Sequence, residues 1–156
     1  AKTCVLILEN LRSVENTGSI FRTAEGLGVK KIICVGTTPT PQDRFGRKRS
    51  DFVKVSLGSE EMLEWSYAKD IRFVIEELKE QNFKIIALEQ HLNSTSLKNF
   101  QTSELQNFVL IVGNELDGVS KEALENSDVI VEIEMQGQKE SLNVSVATGI
   151  ALFMLK

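Results

Sequence analysis

Four short runs in this sequence are apolar almost from end to end: Thr3 to Leu8 (TCVLIL), Lys31 to Val35 (KIICV), Lys84 to Leu88 (KIIAL) and Phe108 to Val112 (FVLIV). A strand with one face in water alternates polar and apolar residues. A strand with no such alternation has to be covered on both faces, which is the situation inside a parallel sheet with helices on either side. Four such runs in 156 residues commit the chain to an α/β fold before any other signal is considered.

The segments between the runs fit that reading. After the first run, Asn16 or Thr17 is placed to cap a helix that carries Ile20, Phe21, Ala24 and Leu27 on one face, and Gly28 ends it. Ile71, Val74, Ile75 and Leu78 mark a second amphipathic helix. Ser120 caps a short helix through Leu124, Val129 to Ile133 is a last strand, and Glu140 to Phe153 (ESLNVSVATGIALF) turns from a polar entrance into an apolar final helix. Met62 to Tyr67 reads as a short edge strand, and Phe52 to Leu57 is ambiguous between helix and strand. From Gly36 to Ser50 the pattern lapses: Pro39, Pro41 and Gly46 leave a long loop, and it carries Arg44, Arg47, Lys48 and Arg49. One domain spanning residues 1–156 is expected, with a mostly parallel sheet flanked by helices.

Several function classes drop out. No GxGxxG follows a strand, and neither the phosphate-binding GxxxxGK[ST] nor a GxSxG elbow is present, so a nucleotide-binding oxidoreductase lacks its fingerprint. His91, the one histidine, has no nucleophile context and reads as a loop residue. Cys4 and Cys34 lie in apolar runs without partners at ligand spacing and read as buried free thiols, so no metal is expected. A formal net charge of -4 argues against nucleic-acid binding by bulk charge but permits a local basic patch. No apolar run is long enough to span a bilayer and no signal peptide opens the chain, so no membrane partner and a cytoplasmic location are expected.

Ligands of open parallel sheets collect at the carboxyl ends of the strands. The loops there read ENTGSIFRTAEGLGV, IVGNELDGVS and IEMQGQKESLNVSVATGIALF. In order and spacing these resemble the three motifs of the SpoU/TrmH branch of the SPOUT methyltransferases, over nearly the whole chain. The resemblance implies transfer of a methyl group from S-adenosyl-L-methionine to a ribose 2'-hydroxyl of structured RNA, with transfer RNA ahead of ribosomal RNA and a lean towards guanosine. It implies a homodimer and no metal. It also implies a deep C-terminal trefoil knot, a topology that general rules of chain connection would exclude.

By motif position, the resemblance assigns the catalytic set to Asn16, Arg22, Glu115, Ser141 and Asn143. Cofactor contacts, largely from backbone, fall to Leu88, Glu89, Gly113, Ile133 and Leu142. Methyl transfer from a sulfonium needs an oxygen held in line with the methyl carbon and a route for the hydroxyl proton. Arg22 is the family's candidate base. A guanidinium with a pKa above about 12 suits a different task, orienting RNA and stabilising the developing alkoxide. Read without the resemblance, Arg22 is an exposed helix residue beside Glu25, Glu115 is a turn carboxylate, and Ser141 and Asn143 are helix caps.

Glu134 stands where many relatives have proline, which loosens the expectation for Ile133. With no added RNA-binding domain expected, RNA falls to the core domain, and Arg44, Arg47, Lys48 and Arg49, helped by Arg12 and Lys30 or Lys31, form the basic candidate. Val144, Ala147, Ile150, Ala151 and Met154 give the last helix more apolar faces than one core contact needs, as a dimer would require. The competing reading is a knotted RNA-binding scaffold without activity.

Overall fold

In the computed structural model, which describes residues 2–156, every one of the apolar runs is a strand of a single sheet. Its seven strands are β1 (Thr3–Glu9), β2 (Lys31–Val35), β3 (Glu64–Ala68), β4 (Lys84–Leu88), β5 (Thr95–Ser96), β6 (Asn107–Val112) and β7 (Val129–Glu132). They lie in the order β3-β2-β1-β6-β4-β7-β5 and every pairing is parallel. The two-residue β5 was not foreseen, because two polar residues carry no period. Pairing with β7 at the sheet's edge defines it.

The helices are α1 (Val14–Gly26), α2 (Ser50–Ser56), α3 (Ile71–Glu80), α4 (Lys121–Glu125) and α5 (Val144–Leu155). Side chains along β1 divide between two cores. Cys4, Leu6 and Leu8 meet α1, α2 and α5, whereas Val5 and Ile7 meet α3 and α4. Both faces are therefore dry, and burying each Leu or Ile contributes roughly 1.5–3 kcal/mol relative to exposure. Cys4 and Cys34 are free and wholly buried, and burial pushes both thiols up to about 12.

Several boundaries differ from expectation. Ser13, with extended backbone, caps α1 by accepting from the Asn16 N–H at 3.0 Å, so Asn16 and Thr17 lie inside the helix. The ambiguous segment is helical because Phe52 can then enter the core edge-on to Phe21, ring centroids 5.0 Å apart. Gly18 permits that approach, since a Cβ there would stand 3.0 Å from Val55 Cβ. Asn143 alone caps α5, and Ser141 makes no hydrogen bond among the described residues. The final helix is half exposed: Val146, Phe153, Ile150 and Met154 face out, whereas Ala151 is buried. Of the five apolar residues noted on this helix, Ile150 and Met154 face out, Val144 and Ala147 are half-buried and Ala151 is buried, so they spread over more than one face.

Candidate functional site

The loop after β6, Gly113–Gly118, is folded back so tightly that its two glycines are obligatory. The Asn114 and Gly118 backbones exchange hydrogen bonds at 3.1 and 2.9 Å. A Cβ on Gly113 would stand 2.4 Å from the Gly118 carbonyl, and one on Gly118, at φ +74°, would stand 2.3 Å from Glu89 Oε1. Glu89 itself pins the loop's exit by accepting from the Val119 N–H at 2.8 Å. Asn114 pins its turn, accepting from the Leu116 and Asp117 N–H groups and donating to the Asn10 carbonyl at 2.8 Å.

That fold aims Glu115 at the start of α1. Its carboxylate accepts from the backbone N–H groups of Arg12 at 3.1 Å and Ser13 at 3.0 Å, and from Asn16 Nδ2 at 3.4 Å. Partial burial acts to raise the pKa of this carboxyl, but the donors from Ser13, its own N–H, Arg12 and Asn16 outweigh it and hold the group below the ordinary carboxylate range. Asn16 passes the connection on: its Oδ1 accepts from Asn143 Nδ2 at 3.2 Å, and Asn143 Oδ1 accepts from the Ser145 N–H at 2.9 Å. One chain of hydrogen bonds thus joins all three motifs and fixes both side-chain amides in orientation.

Beside this network, at the carboxyl ends of β4, β6 and β7, lies a cavity of about 290 Å³. All five expected cofactor residues line it, Leu88, Glu89, Gly113, Ile133 and Leu142, as do Glu115 and Ser141. Its outer wall includes Met135, Glu140, Ser141 and Leu142, and among the described residues the backbone of residues 134–142 makes one hydrogen bond, the Glu140 carbonyl accepting from Gln90 Nε2 at 2.8 Å. Main chain at these four lining residues adjoins the apolar side chains of Leu88, Ile133 and Leu142. Such a lining suits a flat heteroaromatic group with polar edges.

Arg22 is not brought to this place. It is exposed on α1, six residues past Asn16, about 9 Å down the axis and about a third of a turn round. It does not line the cavity and makes no hydrogen bond or ion pair among the described residues. Arg22, expected in one catalytic set with Asn16, Glu115, Ser141 and Asn143, therefore does not join them within one chain. The basic loop is also less free than its sequence implies. Arg47 pairs with Asp43 at 3.0 Å, Lys48 with Glu61 at 2.9 Å and Arg49 with Asp51 at 2.8 Å, while Arg44 and the Arg12 side chain are exposed without a carboxylate partner.

Sequence reasoning missed Gln90, Leu116 and Asn114. Leu116 is 83% exposed at the cavity mouth, an exposed Leu within a Gly-rich turn, and that was a usable signal. Gln90 had none. His91 next to it is an exposed loop residue whose Nδ1 accepts from the Asn93 N–H.

The model of the SpoU rRNA Methylase family matches residues 3–153. A Borreliella burgdorferi protein named an uncharacterized tRNA/rRNA methyltransferase is 32% identical over 155 residues, which is 97% of this chain and 63% of that protein. The 23S rRNA (guanosine-2'-O-)-methyltransferase RlmB of Escherichia coli K12 is 30% identical over 149 residues, 96% of this chain and 58% of that one. Among solved structures, the AdoMet-bound rRNA methyltransferase of Sinorhizobium meliloti superimposes with a TM-score of 0.84 at 26% identity, covering 98% of this chain and 55% of that one. The chain spans about three fifths of the length of these curated relatives.

Proposed function

The chain belongs to the SpoU rRNA methylase family, and from that premise we propose that it transfers the methyl group of S-adenosyl-L-methionine to a ribose 2'-hydroxyl of RNA. The observation that carries the reading is the coincidence of two features. The five expected cofactor residues line one cavity, and the Glu115–Asn16–Asn143 network borders it. Relatives named as tRNA/rRNA and as guanosine-2'-O-methyltransferases support the chemistry, and the AdoMet-bound neighbour supports the cofactor. Transfer RNA is the first substrate class to test, ribosomal RNA the second, and the cytoplasm the expected place.

In this reading the cofactor supplies an electrophilic methyl on a sulfonium. Leu88, Ile133 and Leu142 would hold its base, with main-chain groups of Met135 and of Glu140 to Leu142 to satisfy its polar edges. Glu115 is a holder rather than a base, because its oxygens are occupied by the Arg12, Ser13 and Asn16 donors, which lower its pKa and so weaken it as a base. Asn16 and Asn143 each keep one amide N–H beyond the network, and Ser141 keeps its whole hydroxyl, so these three can position a ribose or phosphate. Arg22 completes the site from a second copy: Val146, Ile150, Phe153 and Met154 give α5 an outward apolar face, and a two-fold pair would carry the guanidinium of one chain towards the cavity of the other. There it would orient the RNA and stabilise the developing alkoxide. The knot belongs to the same proposal, supported by the passage of β6 between β1 and β4 and the return of α5 to α1.

The test incubates the protein and labelled S-adenosylmethionine with total RNA from a strain lacking it, then maps the labelled nucleotide. Ribose methylation at one position is expected. Cofactor binding without incorporation into any RNA would favour the scaffold instead.

A further inference from the structure

The loop after β2 carries a feature that neither the methyl-transfer site nor the charge pattern uses: Phe45, 67% exposed at the loop's tip. A single exposed apolar residue is ordinary. This one differs in how it is held. Asp43 receives the N–H groups of Phe45 at 2.8 Å and Arg47 at 2.9 Å on one carboxylate oxygen, and the Gly46 N–H on its carbonyl at 3.0 Å. The Asp43 N–H donates to the Arg47 carbonyl at 2.8 Å, Gln42 bridges Lys48, and Gly46 takes the φ of +78° that closes the turn. The root is as firm. The buried Thr38 hydroxyl accepts from the Leu11 N–H at 3.0 Å and donates to the Leu8 carbonyl at 2.7 Å, one residue before the Arg12 N–H that Glu115 holds.

On this rigid tip two guanidinia lie against the ring, Arg44 at 4.9 Å and Arg47 at 5.0 Å from its centroid. An aromatic ring that is largely exposed and held in place before binding, with guanidinia beside it, offers a surface on which an unpaired nucleobase stacks. Charge alone does not explain the loop, since Arg47, Lys48 and Arg49 are each matched by a carboxylate and Arg44 is the one of the four without. We propose that Phe45, with Arg44 and Arg47, forms a stacking platform for an unpaired base of the RNA substrate, so that this loop recognises single-stranded RNA by stacking more than by charge. The proposal rests on the RNA methyltransferase reading and adds a base-binding element to it.

The experiment measures binding of the full chain to oligo(A), oligo(U) and the oligo(A)·oligo(U) duplex, each of equal length, across a salt series. Oligo(A) stacks better than oligo(U) at equal charge, so wild type is expected to prefer it and to bind the duplex least. Phe45→Ala should weaken oligo(A) binding about tenfold with an unchanged salt slope, whereas Phe45→Trp should retain it. Arg44→Gln should instead flatten the slope by about 0.7, one phosphate contact on a single strand. Equal affinity of wild type and Phe45→Ala, retention by Phe45→Leu as full as by Phe45→Trp, or no preference over the duplex would overturn the platform. Methylation of cellular RNA by wild type is scored separately. Its presence alongside any of those results removes the platform and keeps the enzyme, and its absence removes the enzyme.

Discussion

Two places at the carboxyl edge of the sheet invite comparison, the seam between β1 and β6 and the cavity bounded by β4, β6 and β7. The chain runs outward in opposite directions from β1 and β6, which makes their seam the place where an open α/β sheet ordinarily opens a crevice for its ligand. Here the seam is closed. Asn114 bonds to Asn10, Glu115 to the start of α1, and Glu9 takes both the Ser120 N–H and its hydroxyl. The cavity next to it is walled by main chain with few internal partners. Saturated polar groups mark the part that holds shape, whereas few main-chain groups of the cavity's outer wall are tied to the rest of the protein. The side chains of Asn114, Glu115 and Asn16 serve the first.

The largest disturbance should come where the two places share a wall. Gly113→Ala puts a Cβ against the Gly118 backbone, which has no flexible end to move aside. A stability loss of about 3 kcal/mol or more is expected in denaturant unfolding, with cofactor binding abolished. A variant as stable as wild type would mean that the seam and the cavity are not built from one loop.

Next in size is Glu115→Ala, which strips the seam of its acceptor and leaves the Arg12 and Ser13 N–H groups unpaired. Losing hydrogen bonds to a charged group costs about 1.5–3 kcal/mol. The pH dependence carries its own sign. A carboxyl held below its usual value contributes stability that is complete above the unfolded value, about 4.5, and is lost as pH falls through the folded one. Wild type should therefore lose stability below that pH more steeply than Glu115→Gln. Parallel acid curves for the two proteins would remove Glu115 from the seam's energetics. Asn143→Ala should cost less, about 1 kcal/mol for a lost helix cap, yet reduce methyl transfer further than stability explains.

How much of this could be read in the sequence follows the same division. The strands were legible because wholly apolar runs such as FVLIV admit one environment. The ends of elements were not: Asn16 looked like a cap, and only the tertiary demand of Glu115 and Asn143 shows why Ser13 does that task. The cavity residues were reached through resemblance, and periodicity alone would have left Leu142 as one more apolar residue. Arg22 was legible as a residue of interest and illegible in place, since nothing in the sequence shows that α1 carries it away from the cavity. The basic loop misled in the other direction, because cations show in a sequence whereas their pairing with Glu61 and Asp51 does not.

A smaller effect probes the cavity alone. Gln90→Ala cuts the one hydrogen bond that ties the outer wall to the loop after β4. Because the bond is exposed, stability should change by less than about 0.5 kcal/mol, while calorimetry should find cofactor affinity lowered severalfold as the wall pays the ordering cost. Unchanged affinity would show that the wall orders without its strap.

Smallest of all should be the double change Lys48→Gln and Arg49→Gln, which lies outside both places. Each cation is exposed and paired, and exposed pairs contribute about 0–1 kcal/mol, so unfolding should shift little. RNA binding should nevertheless weaken, because Glu61 and Asp51 would then face the phosphates unneutralised. Their repulsion is screened over about 10 Å at 0.1 M salt, so the deficit should shrink as salt rises. Adding Glu61→Gln and Asp51→Asn to the double variant separates the two roles: cations that only neutralise those carboxylates leave RNA binding restored, whereas cations that contact phosphate leave the deficit in place, with the salt slope lower by about 0.7 per contact. The ion-pair distances of the loop argue for the first, and an unrestored fourfold variant would overturn it.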